Sequence, residues 1–296
     1  MRTTRYIFKL FVAAIFISRT CIAHSATDGR DTINWYKPDS PPGHIISGEL
    51  AGQGYSDQMQ NFLSKQLPEY KHKNVVASYE RAVIEMQKNT GCIAGIFPNE
   101  YRREHLTYSV IRQLVFANGL IIPDRHYAKI AILLDQDGTI SLETLLSQKE
   151  LAFTGGVSKG RIYGTSIDNV IAKNEFKIVE RASDDVFSGL LNMLAYNRVD
   201  YIFGYPVELQ YALKRTNNSN KFHFIPLREM PEYLPSYVAC SGSDAGKVII
   251  EKINNVLIAN RHTERFYNMY GQWLDAPSIK RLKKFSNKVF SENPIQ

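Results

Sequence analysis

Two adjacent arginines, Arg102 and Arg103, follow the strand-like run Cys92-Ile93-Ala94-Gly95-Ile96-Phe97 and fall at the start of a short predicted helix. The run is apolar or small throughout, Pro98 ends it, and Asn99 caps a helix whose first turn carries Glu100. Cations near the positive end of a helix cost about a few tenths of a kcal/mol each unless an anion stands opposite. Two chemistries fit: a local ion pair with Glu100 or Glu104, or an arginine that grips a carboxylate through its planar fork of donors. Arg81, in the first turn of a helix capped by Ser78, is a second candidate of the same kind.

A second stretch, Thr154-Gly155-Gly156-Val157-Ser158-Lys159-Gly160-Arg161-Ile162-Tyr163-Gly164, carries a strand into a glycine-rich basic loop and then a helix to about Lys173. Unpaired N–H groups and a positive dipole end make such a junction suited to an anion. Ser158, Gly160 and Arg161 are its candidate donors. The Gly-Lys-Ser/Thr order of a Walker phosphate loop is missing, the histidines show no ligand spacing, and two distant cysteines make no metal site. No cofactor and no metal are therefore expected. A third stretch, Asn197 to Tyr205, reads as a strand that delivers Tyr205 and, three residues on, Glu208.

The elements that must position these residues alternate in type. Strands are predicted at Thr32–Tyr36, Asn74–Ala77, Cys92–Phe97, Leu114–Phe116, Leu120–Ile122, Leu151–Thr154, Lys177–Arg181, Asn197–Tyr205 and Tyr237–Cys240. Helices capped by Ser56, Ser78, Asn99, Ser141, Ser183 and Ser243 lie between them, and Lys129 to Asp135 fits helix or strand equally. The segment Lys37 to Gly43, with three prolines, is a loop; the basic tail after Lys280 reads as a solvated helix face.

The chain of 296 residues is long enough for two moderate domains, and its 44% hydrophobic and 22% charged residues are ordinary for a globular protein. Its net charge of +7 is concentrated at the start, where Arg2, Arg5, Lys9 and Arg19 occupy an acid-free segment. What remains is too weakly and diffusely basic for nucleic acid to be a partner. The basic start, the apolar run Leu10–Ile17 and the small residues up to Ala23 predict an export signal over residues 1–23, too short to stay as a membrane anchor. Ser18-Arg19-Thr20 before Cys21 is a poor lipidation context.

Ala94-Gly95-Ile96, Glu100 and Arg102, and the pair Tyr108-Ser109 together resemble the ligand-gripping segment of the family 3 extracellular solute-binding proteins, most closely an uncharacterised proteobacterial branch. The likeness runs as a pattern over about residues 30–275, including Gly54-Tyr55-x-Asp57 and Arg198-Val199-Asp200. It implies a two-lobed α/β fold of the type II periplasmic-binding kind with a hinge and an interlobe cleft. Lobe 1 would be residues 24–123 and 232–296, and lobe 2 residues 124–231. It further implies that Arg102 clamps a ligand carboxylate with help from Gly95 and Phe97, that Ser158, Gly160 and Arg161 close from the second lobe, and that Tyr36 or Trp35 stacks on the ligand beside Pro42. For Trp35, core packing is an equal alternative. Amino-acid binders of the family place an aspartate where this chain has Tyr205, so the ligand is expected not to be a simple α-amino acid unless Glu208 substitutes. In that fold the strands bearing Cys92 and Cys240 are neighbours, and either a disulfide or two buried thiols would fit.

The function implied is capture of a small anionic or zwitterionic molecule by a monomeric, non-enzymatic periplasmic protein, for an ABC permease or a membrane sensor. A cyclohexadienyl-dehydratase-like enzyme with Glu208 as general acid, and a sensor without a transport role, are the alternatives.

Overall fold

Two β-sheets divide the chain, and the computed structural model describes residues 31–148, 150–173, 177–182, 186–216 and 220–292. The expected export signal and the Ser183 cap lie outside them. The first sheet contains β1 (Thr32–Lys37), β2 (Lys71–Val76), β3 (Gly91–Ile96), β4 (Leu106–Tyr108), β5 (Gln113–Val115) and β11 (Leu234–Ser241), in the order β2-β1-β3-β11-β4 with β5 also on β11. The second contains β6 (Gly119–Pro123), β7 (Gly155–Ser158), β8 (Ile178–Arg181), β9 (Tyr201–Gly204) and β10 (Phe222–Pro226), in the order β10-β6-β9-β7-β8. In each, parallel strands joined by helices are completed by antiparallel strands, as a two-lobed α/β protein requires.

The chain crosses between sheets twice, through Phe116–Asn118 and again between β10 and β11. The first crossing corrects the sequence-based boundary at residue 123. Gly119–Pro123 pairs with β9 and β10 in the second sheet, because its uniformly buried residues need cover on both faces.

Helix α1 (Tyr55–Gln66) starts earlier than expected. Gly54, not Ser56, is its N-cap, and Asp57 reaches back to accept from the Gly54 N–H. The caps of α2 (Tyr79–Met86), α3 (Glu100–His105), α5 (Leu142–Ser147) and α9 (Asp244–Asn260) are Ser78, Asn99, Ser141 and Ser243 as expected, each accepting from the backbone N–H three residues on. Of the ambiguous segment Lys129 to Asp135, residues 129–131 end α4 (Asp124–Ala131) and residues 132–135 are turn and loop, so it is neither strand nor wholly helix. Strand β7 falls later than expected and includes both glycines, because a Cβ at Gly155 would lie 2.5 Å from the Tyr201 ring. The remaining helices are α6 (Thr165–Lys173), α7 (Val186–Ala195), α8 (Pro206–Thr216), α10 (Glu264–Gly271) and α11 (Ala276–Glu292). Leu282 and Phe285 bury one side of α11, so the basic tail is solvated on one face only.

Cys92 and Cys240 sit opposite each other on β3 and β11, 4.0 Å apart at Cα, and are joined in a disulfide. The link closes a loop of 148 residues, which in a chain-entropy description stabilises the fold by on the order of 5 kcal/mol. It lies in a core made by α1, α9 and one face of the first sheet.

Candidate functional site

Loops at the C-terminal ends of parallel strands from both sheets converge on one cavity of about 180 Å³. The first sheet contributes Ser40, Pro41 and Pro42 after β1, Tyr79 at the start of α2, and Phe97 after β3. From the second come Tyr205, Val207 and Glu208, where β9 runs into α8. Tyr55 of α1, Tyr270 of α10, Val115 of β5 and Phe116 of the first crossing complete the wall. Six of these side chains are aromatic, so the cavity offers ring faces and phenol hydroxyls rather than charge.

Gly95 occupies a bulge in β3. Tyr237 of β11 pairs with Ile96 and Val238 with Ala94, which leaves Gly95 without a partner in the ladder. Its φ of +94° is one that glycine adopts freely, and a Cβ there would lie 2.4 Å from Ser56 Oγ and 2.7 Å from Arg112 Nη2. The bulge brings the Gly95 carbonyl within reach of the Tyr79 hydroxyl, which donates to it at 3.3 Å, and Ser40 Oγ lies 3.3 Å from the same hydroxyl. Strand end, proline loop and α2 are thereby tied together at the rim.

Beneath this wall lies a fully buried carboxylate, Asp57. Its two oxygens receive Lys37 Nζ at 2.6 Å, the Ile45 N–H at 2.9 Å and the Gly54 N–H at 3.2 Å, with His44 Nδ1 at 3.0 Å. Burial alone would raise its pKa. The hydrogen bonds from His44, Ile45 and Lys37 outweigh burial and hold it below the usual carboxylate range.

Arg161 pairs with Glu208 in a two-pronged contact, Nη1 to Oε1 at 3.0 Å and Nη2 to Oε2 at 2.9 Å. Nη2 also reaches Asn118 Oδ1 at 3.2 Å, and Glu208 Oε2 accepts from the Tyr205 N–H. Burial would lower the Arg161 pKa, but the Glu208 charge beside it raises it instead. Both oxygens of Glu208 thus accept hydrogen bonds, Oε1 from Arg161 and Oε2 from Arg161 and the Tyr205 backbone. Burial, reinforced by the nearby Glu208 charge, pushes the Tyr205 phenol up as well, so it faces the cavity neutral.

Of the residues singled out in the sequence, Phe97, Tyr205, Glu208 and Pro42 line this cavity, and Gly95 and Arg161 stand directly behind its wall. Others do not reach it. Trp35 is fully buried in the core of the first sheet and donates Nε1 to His72 Nδ1 at 3.0 Å. Tyr36 points to the opposite face and packs against Ala82, Val83 and Met86. Both fail to reach the cleft for one reason: β1 is flanked by β2 and β3, and helices cover both of its faces. Ser158 and Gly160 line a different hollow of about 460 Å³ in the second sheet's side, beside α6 and β8. The left-handed turn at Gly160 directs the loop there, and the Ser158 N–H is already bonded to the Tyr163 hydroxyl. Arg102 does not line the cavity. Its Nη1 donates to the Phe97 carbonyl at 2.8 Å and its guanidinium lies 5.6 Å from the Tyr79 ring centre, so the segment resolves its own charge at the rim.

Sequence reasoning missed Tyr55, Tyr79, Tyr270 and Arg112. Arg112 had a visible signal, a single cation inside the apolar run Val110 to Phe116. It is buried between Ser56 and Ser236, whose hydroxyls accept from its Nη2 and Nε at 3.1 Å each.

No protein-family model matches the chain and no curated protein matches its sequence. Solved structures do match its shape. The second substrate-binding domain of Lactococcus lactis GlnP, in its open conformation, superposes with a TM-score of 0.59 at 18% identity, over 84% of this chain and 98% of that one. The probable amino-acid ABC transporter extracellular-binding protein ytmK of Bacillus subtilis gives 0.58 at 14% identity, covering 86% and 99%. A histidine kinase sensor domain with similarity to periplasmic binding proteins gives 0.52 at 14%, covering 83% and 97%. Two sheets, two crossings and a cavity at the facing strand ends thus give this chain the two-lobed α/β fold of these periplasmic-binding-protein-like structures.

Proposed function

We propose that this protein is an exported, monomeric solute-binding protein that captures a small anionic or zwitterionic molecule in the tyrosine-lined cavity and closes over it by rotation about the two crossings. The carrying observation is the cavity itself, whose walls come from strand ends of both sheets. A ligand that touches both walls binds the closed arrangement more tightly than the open one and so shifts the population toward it. The neighbours of similar shape include an ABC-transporter binding protein and a kinase sensor domain, which supports delivery to a permease or signalling to a membrane sensor. The buried disulfide suits an oxidising compartment such as the periplasm. A binding role is favoured over an enzymatic one because the acid suited to proton donation, Glu208, is engaged by Arg161.

The test is a thermal-shift screen of the chain from Asp31 onward against amino acids, dicarboxylates, short peptides and aromatic acids, followed by small-angle scattering with any compound that stabilises it. One chemical class should raise the melting temperature and contract the particle, and Tyr205→Ala should weaken both effects. A protein that responds to no compound, or binds without contraction, would sink the capture-and-close reading.

A further inference from the structure

Arg112 is a buried charge that nothing among the described residues answers. It is 1% exposed, and its hydrogen bonds go to two neutral hydroxyls, those of Ser56 and Ser236. Its Nη1 has no hydrogen-bond partner, and no ion pair among the described residues includes it. Burial pulls its pKa down to about 10, which still leaves the group cationic at neutral pH. The phenols nearest it are those of Tyr55, Tyr79 and Tyr270, and all three line the interlobe cavity. Its guanidinium carbon lies 5.8 Å from the Tyr55 ring centre, and Nη2 comes up against Gly95 on the side where a Cβ would stand. A buried cation without a counter-ion has lost its hydration with nothing in return, so an anion brought close to it recovers part of that cost.

The other charges near the cavity are already matched. Glu208 is the one carboxylate among its lining residues, and both its oxygens are taken by Arg161. Asp57 is taken by Lys37, His44 and two backbone N–H groups. A positive charge is therefore owed a partner, and among the described residues that line the cavity the one acid already has its cation. The volume of 180 Å³ equals that of roughly six liquid waters, enough for a small ring or short chain. Its aromatic walls suit a flat or apolar body.

Resting on the solute-binding reading above, we propose that the cavity takes a small carboxylate that lacks an ammonium group, with its body against the aromatic walls and its charge answered by Arg112 behind Gly95, Tyr55 and Tyr79. Arg112 is then a positioning residue that sets the sign of the ligand, and Arg102 at the rim is not its clamp.

Calorimetric titration with three probes of similar body separates charge from shape: benzoate, the neutral benzamide, and phenylalanine, which adds an ammonium. The native chain should bind benzoate at least about tenfold more tightly than either of the others. In Arg112→Met that preference should vanish while benzamide affinity stays within about threefold; a merely structural role would weaken both probes alike. Arg112→Lys should restore part of the preference, and Arg102→Met should keep it. Arg112→Gln, which can still bond the two serines without charge, replaces the methionine variant should that one not fold. Retention of the benzoate preference without the Arg112 charge, its loss in Arg102→Met, or tighter binding of phenylalanine would each overturn the inference. If the screen instead yields another ammonium-free carboxylate, the same ratio against its amide decides the matter. A Tyr205-dependent binder that is zwitterionic overturns this inference alone, a neutral or cationic one overturns the ligand charge of the reading above as well, and binding of nothing at all overturns the solute-binding reading with it.

Discussion

Three charged groups stand behind the walls of one cavity, and they differ in what answers them. Asp57, under the first sheet's wall, has a lysine, a histidine and two backbone donors; Arg161, on the second sheet's side, has a two-pronged carboxylate. Arg112 has two serine hydroxyls and the face of the Tyr55 ring, 5.8 Å from its centre. A charge with a full set of partners is part of the scaffold, since breaking its set leaves several groups unsatisfied at once. A charge without one destabilises the empty protein and so is disposed toward a ligand. The contrast predicts effects of different size and even of different sign on removal.

The largest loss should follow Asp57→Asn. The amide keeps some acceptor capacity but strands Lys37 and His44 next to a neutral group, a loss of about 3–5 kcal/mol in denaturant unfolding. The pH dependence has a fixed direction. Because the folded protein holds this carboxyl below its ordinary value, the unfolded chain binds the proton more readily, and the stability it lends is present above about pH 4 and disappears as pH falls through the lower, folded value. Native protein should therefore lose stability more steeply than the variant below about pH 4; parallel curves would show that Asp57 contributes no such linkage.

Next in size is Glu208→Gln. The partners are about one-fifth exposed, at 23% for Arg161 and 20% for Glu208, which places the pair between surface and buried cases. A loss of about 1–3 kcal/mol is expected, largely because Arg161 keeps its charge without its partner. A double-mutant cycle with Arg161→Met isolates the coupling. Additive losses in that cycle would mean that the two-pronged contact contributes nothing of its own.

The scaffold groups were more legible in the sequence than the unanswered one. Caps at Ser78, Asn99, Ser141 and Ser243 follow from local chemistry, because a short polar side chain before an apolar-periodic run has few other uses. The Ser56 cap fails because Asp57 can serve the same helix end from inside it, which frees Ser56 for Arg112. Gly155 and Gly156 look like a loop by propensity, yet they sit in a strand because Tyr201 and Leu190 need the space. Likewise Trp35 and Tyr36 look like cleft aromatics until the sheet order shows their strand flanked by two others. Phe97 and Tyr205 were legible because each directly follows a strand of recognisable pattern, and Glu208 because it lies in the first turn of the helix after the second of these strands. Tyr55, Tyr79 and Tyr270 come from three different helices, and their meeting around one cavity depends on tertiary packing that no local pattern encodes.

The two smallest effects separate the two arginines of the first lobe. Arg112→Met relieves the cost of the buried charge but also removes its two serine hydrogen bonds, so the stability of the empty protein should change by less than about 1 kcal/mol and in the stabilising direction. Arg102→Met removes one hydrogen bond to the Phe97 carbonyl from a half-exposed side chain and should cost no more than about 0.5 kcal/mol. The empty proteins should thus be nearly indistinguishable in urea, and only saturating carboxylate should part them. A ligand that binds the native state alone stabilises it in proportion to the logarithm of its concentration over Kd. The increment should survive in Arg102→Met and shrink in Arg112→Met. The reverse order would return the clamp to the rim, to the arginine that the strand-to-helix pattern first singled out.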